Sequence, residues 1–168
     1  MSYNSSNVLQ LIGHTPIVQL NKIPDPGGAR VFAKLEYFNP GGSIKDRIAM
    51  AIIEHAETEG RLSPGGTVVE ATSGNTGVGL ALVAAVKGYK AIFVMPDKVS
   101  TEKIKLLKAF GADVIITPTA VSPDSPDYYV NTARRVVKET PNAIFSDHLF
   151  NQINPQIHYE TTGPEIWR

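Results

Sequence analysis

Cysteine is absent from this chain of 168 residues. That absence excludes disulfide staples, cysteine-ligated zinc and a thiol nucleophile together, so the fold has to rest on its own core. Net charge is absent as well. Sixteen Lys and Arg residues balance sixteen Asp and Glu residues with no long run of one sign. The footprint of a nucleic-acid or membrane-surface partner is therefore missing, and a small molecule is the expected partner. No uninterrupted apolar run approaches the roughly 20 residues a spanning helix requires, and the stretch from Met1 to Asn7 is polar. A cytoplasmic protein is the resulting expectation. The length suits one packed α/β domain and is short for two.

From Thr67 onward, short β-branched runs alternate with helical patterns. Val68-Val69, Ile92-Phe93-Val94, Val114-Ile115-Ile116 and Ala143-Ile144-Phe145 read as buried strands. Helices between them are expected to start near Thr76, Ser100 and Tyr128, at spacings that suit βαβ units. An open parallel sheet flanked by helices is the predicted architecture. Before it, Ile17 to Leu20 and Val31 to Leu35 read as two strands joined by the turn-rich Pro24-Asp25-Pro26-Gly27-Gly28, a hairpin. A helix is expected from about Ser43 to Glu59, with Ile44, Ile48, Ile52 and Ala56 on one face and Gly60 as its stop. The last helix is expected to run from near Pro155 to the end and to carry Trp167 as a core or interface anchor.

Two segments could carry chemistry. In Asn39-Pro40-Gly41-Gly42-Ser43-Ile44-Lys45-Asp46-Arg47 a glycine-bearing turn delivers Lys45 into the first turn of a helix. The partial positive charge of a helix N-terminus favours a neutral amine at that position, hence a nucleophile toward an aldehyde. The alternative is a surface lysine beside Asp46 and Arg47. In Thr72-Ser73-Gly74-Asn75-Thr76-Gly77 a strand ends and a helix begins, offering N–H groups, three hydroxyls and an amide to a carboxylate or phosphate. Its alternative is a capping turn in which Ser73 or Thr76 satisfies the helix end. Neither segment has Walker spacing, and Gly74, Gly77 and Gly79 give G-x-x-G-x-G, not the dinucleotide fingerprint.

Together these segments resemble the fold type II pyridoxal-phosphate enzymes, specifically the cysteine synthase and cystathionine β-synthase family. The resemblance spans nearly the whole chain. It includes Leu11-Ile12-Gly13-His14-Thr15-Pro16, the run from Val94 to Ser100, the run from Leu106 to Ala112, and the stretch from His158 to Trp167. The stretch from Thr117 to Tyr129 is more similar to the cystathionine β-synthase branch. The resemblance implies pyridoxal 5'-phosphate as cofactor, Lys45 as the Schiff-base lysine that also moves the substrate α-proton, and Asn75 beside the phenolic oxygen of the cofactor. Thr72, Ser73, Asn75 and Thr76 match substrate-binding positions that grip a carboxylate. The implied reaction is β-replacement on serine or O-acetylserine with a thiol, in a homodimer.

Two departures from the family stand out. Where the family carries a carboxylate-binding glutamine, this chain has His148, an imidazole that differs in shape and, as a residue type, titrates near neutral pH. The alternative is an exposed His148 with Gln152 in the role. His14, His55 and His158 show no metal-ligand spacing and read as packing or surface residues. The second departure is length. The family's phosphate loop and its partner for the pyridine nitrogen lie in a second half with no counterpart in these residues. The chain is thus expected to be an N-terminal portion. Residues 1–40 carry strands that pack on an absent second domain, and residues 41–168 form the α/β domain with the lysine and the carboxylate loop. A truncated, non-catalytic binding partner and a nucleotide-binding α/β domain are the competing readings.

Overall fold

In a computed structural model, which describes residues 5–167, two short strands precede the main sheet. They are β1 (Ile17–Gln19) and β2 (Phe32–Lys34), paired antiparallel with Val18 opposite Ala33. The expected hairpin forms, with Gly28 N–H closing its turn on the Asp25 carbonyl at 3.0 Å. It stands apart as its own sheet, and Ile17, Val18 and Phe32 remain exposed.

The main sheet has four parallel strands, β3 (Thr67–Ala71), β4 (Lys90–Pro96), β5 (Asp113–Thr117) and β6 (Ala143–Phe145), in the order β5-β4-β3-β6. All five residues of β3 are buried. A strand covered on both faces needs apolar side chains in both directions, which is why Val68-Val69 in β3 and Ala91 to Met95 in β4 are apolar at successive positions. Alternation then divides the core. Val68, Phe93, Met95 and Ile144 face one cluster, while Val69, Ala71 and Val94 face another.

The first cluster is covered by α1 (Lys45–Thr58), α2 (Asn75–Lys87) and α3 (Thr101–Ala109), the second by α4 (Tyr129–Glu139). α1 buries the expected Ile48, Ile52 and Ala56 together with Ala49 and Ile53, whereas Ile44 is only half-buried because it lies in the turn before the helix. Gly60 follows the helix at φ +68°, the left-handed value that a glycine accepts without strain. α2 is buried nearly all round, between the sheet, α1 and α3. Gly79 permits its approach to α1. A Cβ there would lie 3.0 Å from the Lys45 carbonyl oxygen and 3.1 Å from the Ala49 Cβ.

The expected C-terminal helix begins earlier and is interrupted. α5 (Ile153–Ile157) leads into a π-helical turn (His158–Thr162) and then α6 (Gly163–Trp167). The Thr161 hydroxyl donates to the Ile157 carbonyl at 2.6 Å, and Gly163 N–H reaches back to His158 O, so the α-helical ladder skips a register. Trp167 is 92 % exposed, which overturns its reading as a core anchor. Glu165 points inward, and a residue two positions further along a helix is turned by about 200°, away from it.

Glu165 points toward Arg47. The Arg47 guanidinium donates to Glu165 at 2.7 Å from both Nη atoms and to Glu36 at 2.9 Å from Nε and Nη2. Lys34 pairs with Glu165 at 2.6 Å, and Thr15 and Asn39 donate to Glu36 at 2.6 and 2.8 Å. Burial pushes the Glu165 carboxyl up, but the Arg47, Lys34 and His14 hydrogen bonds outweigh it and hold it at about 2. Of the 1–40 segment, residues 1–4 lie outside the described residues, as does Arg168.

A carboxyl held low stabilises the fold above its ordinary range near 4.5 and loses that contribution as pH falls through about 2. Glu165→Ala should therefore cost about 3 kcal/mol at neutral pH, the scale for removing one partner of a buried pair. In denaturant titrations at several pH values, the gap to wild type should close toward pH 2. A constant gap across that range would show that the charge contributes nothing.

Candidate active site

The strand order contains one reversal. The chain runs from β3 outward through β4 to β5, then returns to place β6 on the other side of β3. In open parallel sheets the loops at such a reversal part and leave a crevice beyond the carboxyl ends of the strands. A cleft of about 320 Å³ lies there, lined by Thr72, Ser73 and Gly74 after β3, Lys98 after β4, Tyr129 at the head of α4, and His148 after β6. A hollow of about 140 Å³ between α1 and the C-terminal helices is lined largely by apolar groups such as Ile12, Met50 and Ile157 and lacks such convergent donors.

The end of α2 that faces this region is uncapped. Its N-cap residue is Gly74, with no side-chain bond to the first turn, so neither Ser73 nor Thr76 closes the helix end as the capping alternative required. Thr72 Oγ1 instead accepts from Gly74 N–H at 3.2 Å and shapes the turn before the helix. Thr72 and Thr76 are buried, Ser73 is half-buried, and Gly74 and Asn75 are exposed. An uncapped N-terminus presents N–H donors and partial positive charge to an anion.

Lys45 is the first residue of α1, and its amide is held by Ser43 Oγ at 3.1 Å. Close packing at Gly79 brings this turn against the first half of α2. Lys34 and Lys87 are spent on carboxylates at 2.6 and 2.8 Å, whereas Lys45 forms no ion pair among the described residues. Thr72, Ser73 and His148 thus share one cleft, while Lys45 and Asn75 lie outside its lining.

His148 is not an exposed loop residue, since its side chain is 13 % exposed. Its backbone N–H donates to Glu70 Oε2 at 3.1 Å, and its Nδ1 lies 3.1 Å from the same oxygen. The Nδ1 contact is off the hydrogen-bonding direction, which makes it an electrostatic one. Asp147 before it takes φ +46° to set the turn. Gln152 is exposed and bonds the Phe150 carbonyl, away from the cleft. His14 is exposed, His55 contacts Glu59 at 3.1 Å, and His158 bonds Thr162. No cluster of three or more metal-ligating side chains occurs among the described residues.

Sequence reasoning missed Glu70, Asp46 and the carboxylates around Arg47. Glu70 was signalled by its position: a carboxylate inside Val68-Val69-Glu70-Ala71, where a covered strand calls for apolar side chains. Asp46 gave no signal. It is fully buried; its Oδ2 accepts from Gly41 N–H at 2.5 Å, and its Oδ1 has no partner. Burial pushes its carboxyl up to about 6, against the Gly41 hydrogen bond and with the repulsion of Glu36.

The family model for pyridoxal-phosphate dependent enzymes matches residues 8–168. This chain belongs to that family. It is 50 % identical to a cystathionine beta-synthase of Saccharomyces cerevisiae, over 96 % of this chain and 32 % of that protein. It is 49 % identical to a cysteine synthase of Staphylococcus aureus, over 95 % of this chain and 50 % of the relative. Among solved structures, a hydrogen sulfide-producing enzyme from Fusobacterium nucleatum superimposes with a TM-score of 0.90 at 42 % identity, covering 99 % of this chain and 53 % of that one. An O-ureido-L-serine synthase gives a TM-score of 0.90 at 39 % identity, covering 97 % of this chain and 50 % of that one. The chain thus spans from about a third to about half the length of these relatives. The family implies pyridoxal phosphate, and an unpaired lysine at a helix head beside an uncapped helix fits its covalent attachment.

Asp46 supplies a test of how the lysine turn is held. A carboxyl raised from 3.8 to about 6 binds more protons folded than unfolded, so its contribution to stability falls as pH rises across that interval. Asp46→Asn keeps an acceptor for Gly41 N–H without the charge. Urea unfolding at about pH 4 and pH 7 should show that this substitution removes a decline on the order of 2 kcal/mol. An unchanged decline would place the titration elsewhere.

Proposed function

We propose that this chain carries the lysine and carboxylate-binding half of an enzyme that performs β-replacement on serine or O-acetylserine with a thiol. The observation that supports this most is the convergence of Thr72, Ser73, the uncapped end of α2 and His148 at the strand reversal, close to where α1 begins with Lys45. Pyridoxal phosphate, when bound, supplies an electron sink that acidifies the α-carbon of an amino acid. Lys45 holds the cofactor through its amine and moves the α-proton, a pair of tasks open to a lysine with no carboxylate partner. Thr72, Ser73 and Thr76, with the N–H groups that open α2, bind the substrate carboxylate. Asn75, exposed at the start of α2, offers its amide to the phenolic oxygen of the cofactor and to the substrate. His148 stands in for an amide donor from the opposite wall. We further propose that the enzyme acts as a homodimer in the cytoplasm. No described helix is long and apolar enough to cross a membrane.

The attachment point is testable in the cofactor-loaded protein. Borohydride reduction followed by peptide mapping should place the cofactor on Lys45, and Lys45→Ala should abolish the covalent adduct. A label on Lys34 or Lys90 would end this assignment. Thr72→Ala and Ser73→Ala should leave the cofactor attached and weaken amino-acid binding about tenfold or more, because each removes a hydrogen bond to a charged group worth about 1.5–3 kcal/mol. Unchanged spectral titration with L-serine in both variants would remove the carboxylate site from this loop.

A further inference from the structure

Glu70 is 2 % exposed in a strand where its neighbours Val68, Val69 and Ala71 are apolar, and for the core alone another apolar side chain would serve in its place. Burying a carboxyl group costs free energy unless hydrogen bonds replace those it made with water. The bonds that Glu70 makes lead out of its strand. Oε1 accepts from Ala71 N–H at 2.7 Å, whereas Oε2 accepts from the Ser146 hydroxyl and from the backbone N–H of His148 at 3.1 Å. Two donors from beyond β6 thus meet on one oxygen.

Their position along the strands gives this bond set its consequence. β3 and β6 pair from Thr67 with Ala143 to Val69 with Phe145, and the last backbone bond between them runs from Ser146 N–H to the Val69 carbonyl at 3.1 Å. Past that point the two segments part around the cleft, with Thr72, Ser73 and Gly74 on one wall and His148 and Leu149 on the other. Among the described residues, only the Glu70 side chain joins the two segments by hydrogen bonds beyond the parting. The turn it holds is braced within itself. Asn151 Nδ2 donates to the Ser146 carbonyl at 3.0 Å, Asn154 Nδ2 donates to the His148 carbonyl at 2.8 Å, and the Phe150 and Asn151 N–H groups both donate to the Asp147 carbonyl at 2.9 Å. A braced turn moves as one piece, so the place where it is fastened decides where its side chains stand.

We propose that Glu70 is a positioning residue for carboxylate recognition: it ties the His148 turn to the end of β3 and holds the two walls of the cleft at the spacing that grips a carboxylate. The tie runs through a hydroxyl and a backbone amide. Glu70 is not itself part of the cleft lining, so it acts through the residues it fastens and not by touching the ligand.

This inference rests on the proposed role of the cleft as a carboxylate site, and the experiment separates the two. The probes are L-serine and L-serinamide, which share the amine and the hydroxyl and of which only L-serine carries a carboxylate. Each is titrated into the intact, cofactor-loaded protein, and its dissociation constant is read from the absorbance of the cofactor. Wild type should prefer L-serine. Glu70→Leu fills the space without an acceptor and should cut that preference about tenfold, the scale of one hydrogen bond to a charged group. Glu70→Gln retains a carbonyl oxygen for the Ser146 hydroxyl and the His148 N–H and should keep most of the preference. A role confined to holding the core together would shift both dissociation constants alike and leave their ratio unmoved. Should Glu70→Leu fail to fold, Ser146→Ala removes one of the two donors at a buried position outside the lining and should lower the preference by a smaller factor. An unchanged ratio in Glu70→Leu, or in Ser146→Ala where the leucine variant does not fold, overturns the positioning role alone, as does an equal loss in Glu70→Gln and Glu70→Leu. A wild type that binds both probes equally overturns the carboxylate site, and the positioning role with it.

Discussion

A guanidinium taken out of water must recover its hydrogen bonds from the protein, and Arg47 recovers them from three distant parts of the chain. Thr15 precedes β1, Glu36 follows β2, and Glu165 lies on α6, yet all converge on one side chain in the first turn of α1. Two carboxylates face two cations, Arg47 and Lys34, so the cluster is balanced in charge as well as in hydrogen bonds. Breaking any one arm would leave a buried charge short of partners, which makes the arrangement all-or-none. Lys45 lies two residues upstream, and its placement is inherited from this lock.

The second constraint is steric. α2 can present its bare N-terminus beside the head of α1 only because Gly79 lets the Lys45 carbonyl come within van der Waals reach. Gly77 does the same against the Thr72 methyl, where a Cβ would lie 3.0 Å away. The helix is consequently covered on nearly every side, and its polar end is left facing outward toward the strand reversal. Packing and binding are thus two consequences of the same small residues. Asp46 adds a cost to this region, since a fully buried carboxyl with one free oxygen resists ionisation.

Much of the fold was legible because its signals are local. Each β-branched run from Val68 to Phe145 became a parallel strand, and the helix starts expected near Thr76, Ser100 and Tyr128 lie one residue from those observed. The end of α1 at Gly60 followed from backbone freedom alone. Where sequence reasoning failed, a side-chain hydrogen bond had won. The C-terminal helix loses its register where the Thr161 hydroxyl takes the Ile157 carbonyl one turn back, and Trp167 faces outward because Glu165 is drawn to a guanidinium more than a hundred residues away in sequence.

For the candidate site, the sequence by itself determined the chemistry on offer: a lysine at a helix head, a hydroxyl-rich loop between a strand and a helix, and a histidine shortly after the last strand. Those are properties of residue type and short-range order, and a motif read in one dimension conveys them. Only the tertiary structure decided which of these groups meet. It set Thr72, Ser73 and His148 around one cleft, because the sheet reverses its strand order between β3 and β6. It also gave His148 a buried carboxylate neighbour in Glu70. Seventy-eight residues separate that pair along the chain, and only the parallel pairing of their strands brings them together.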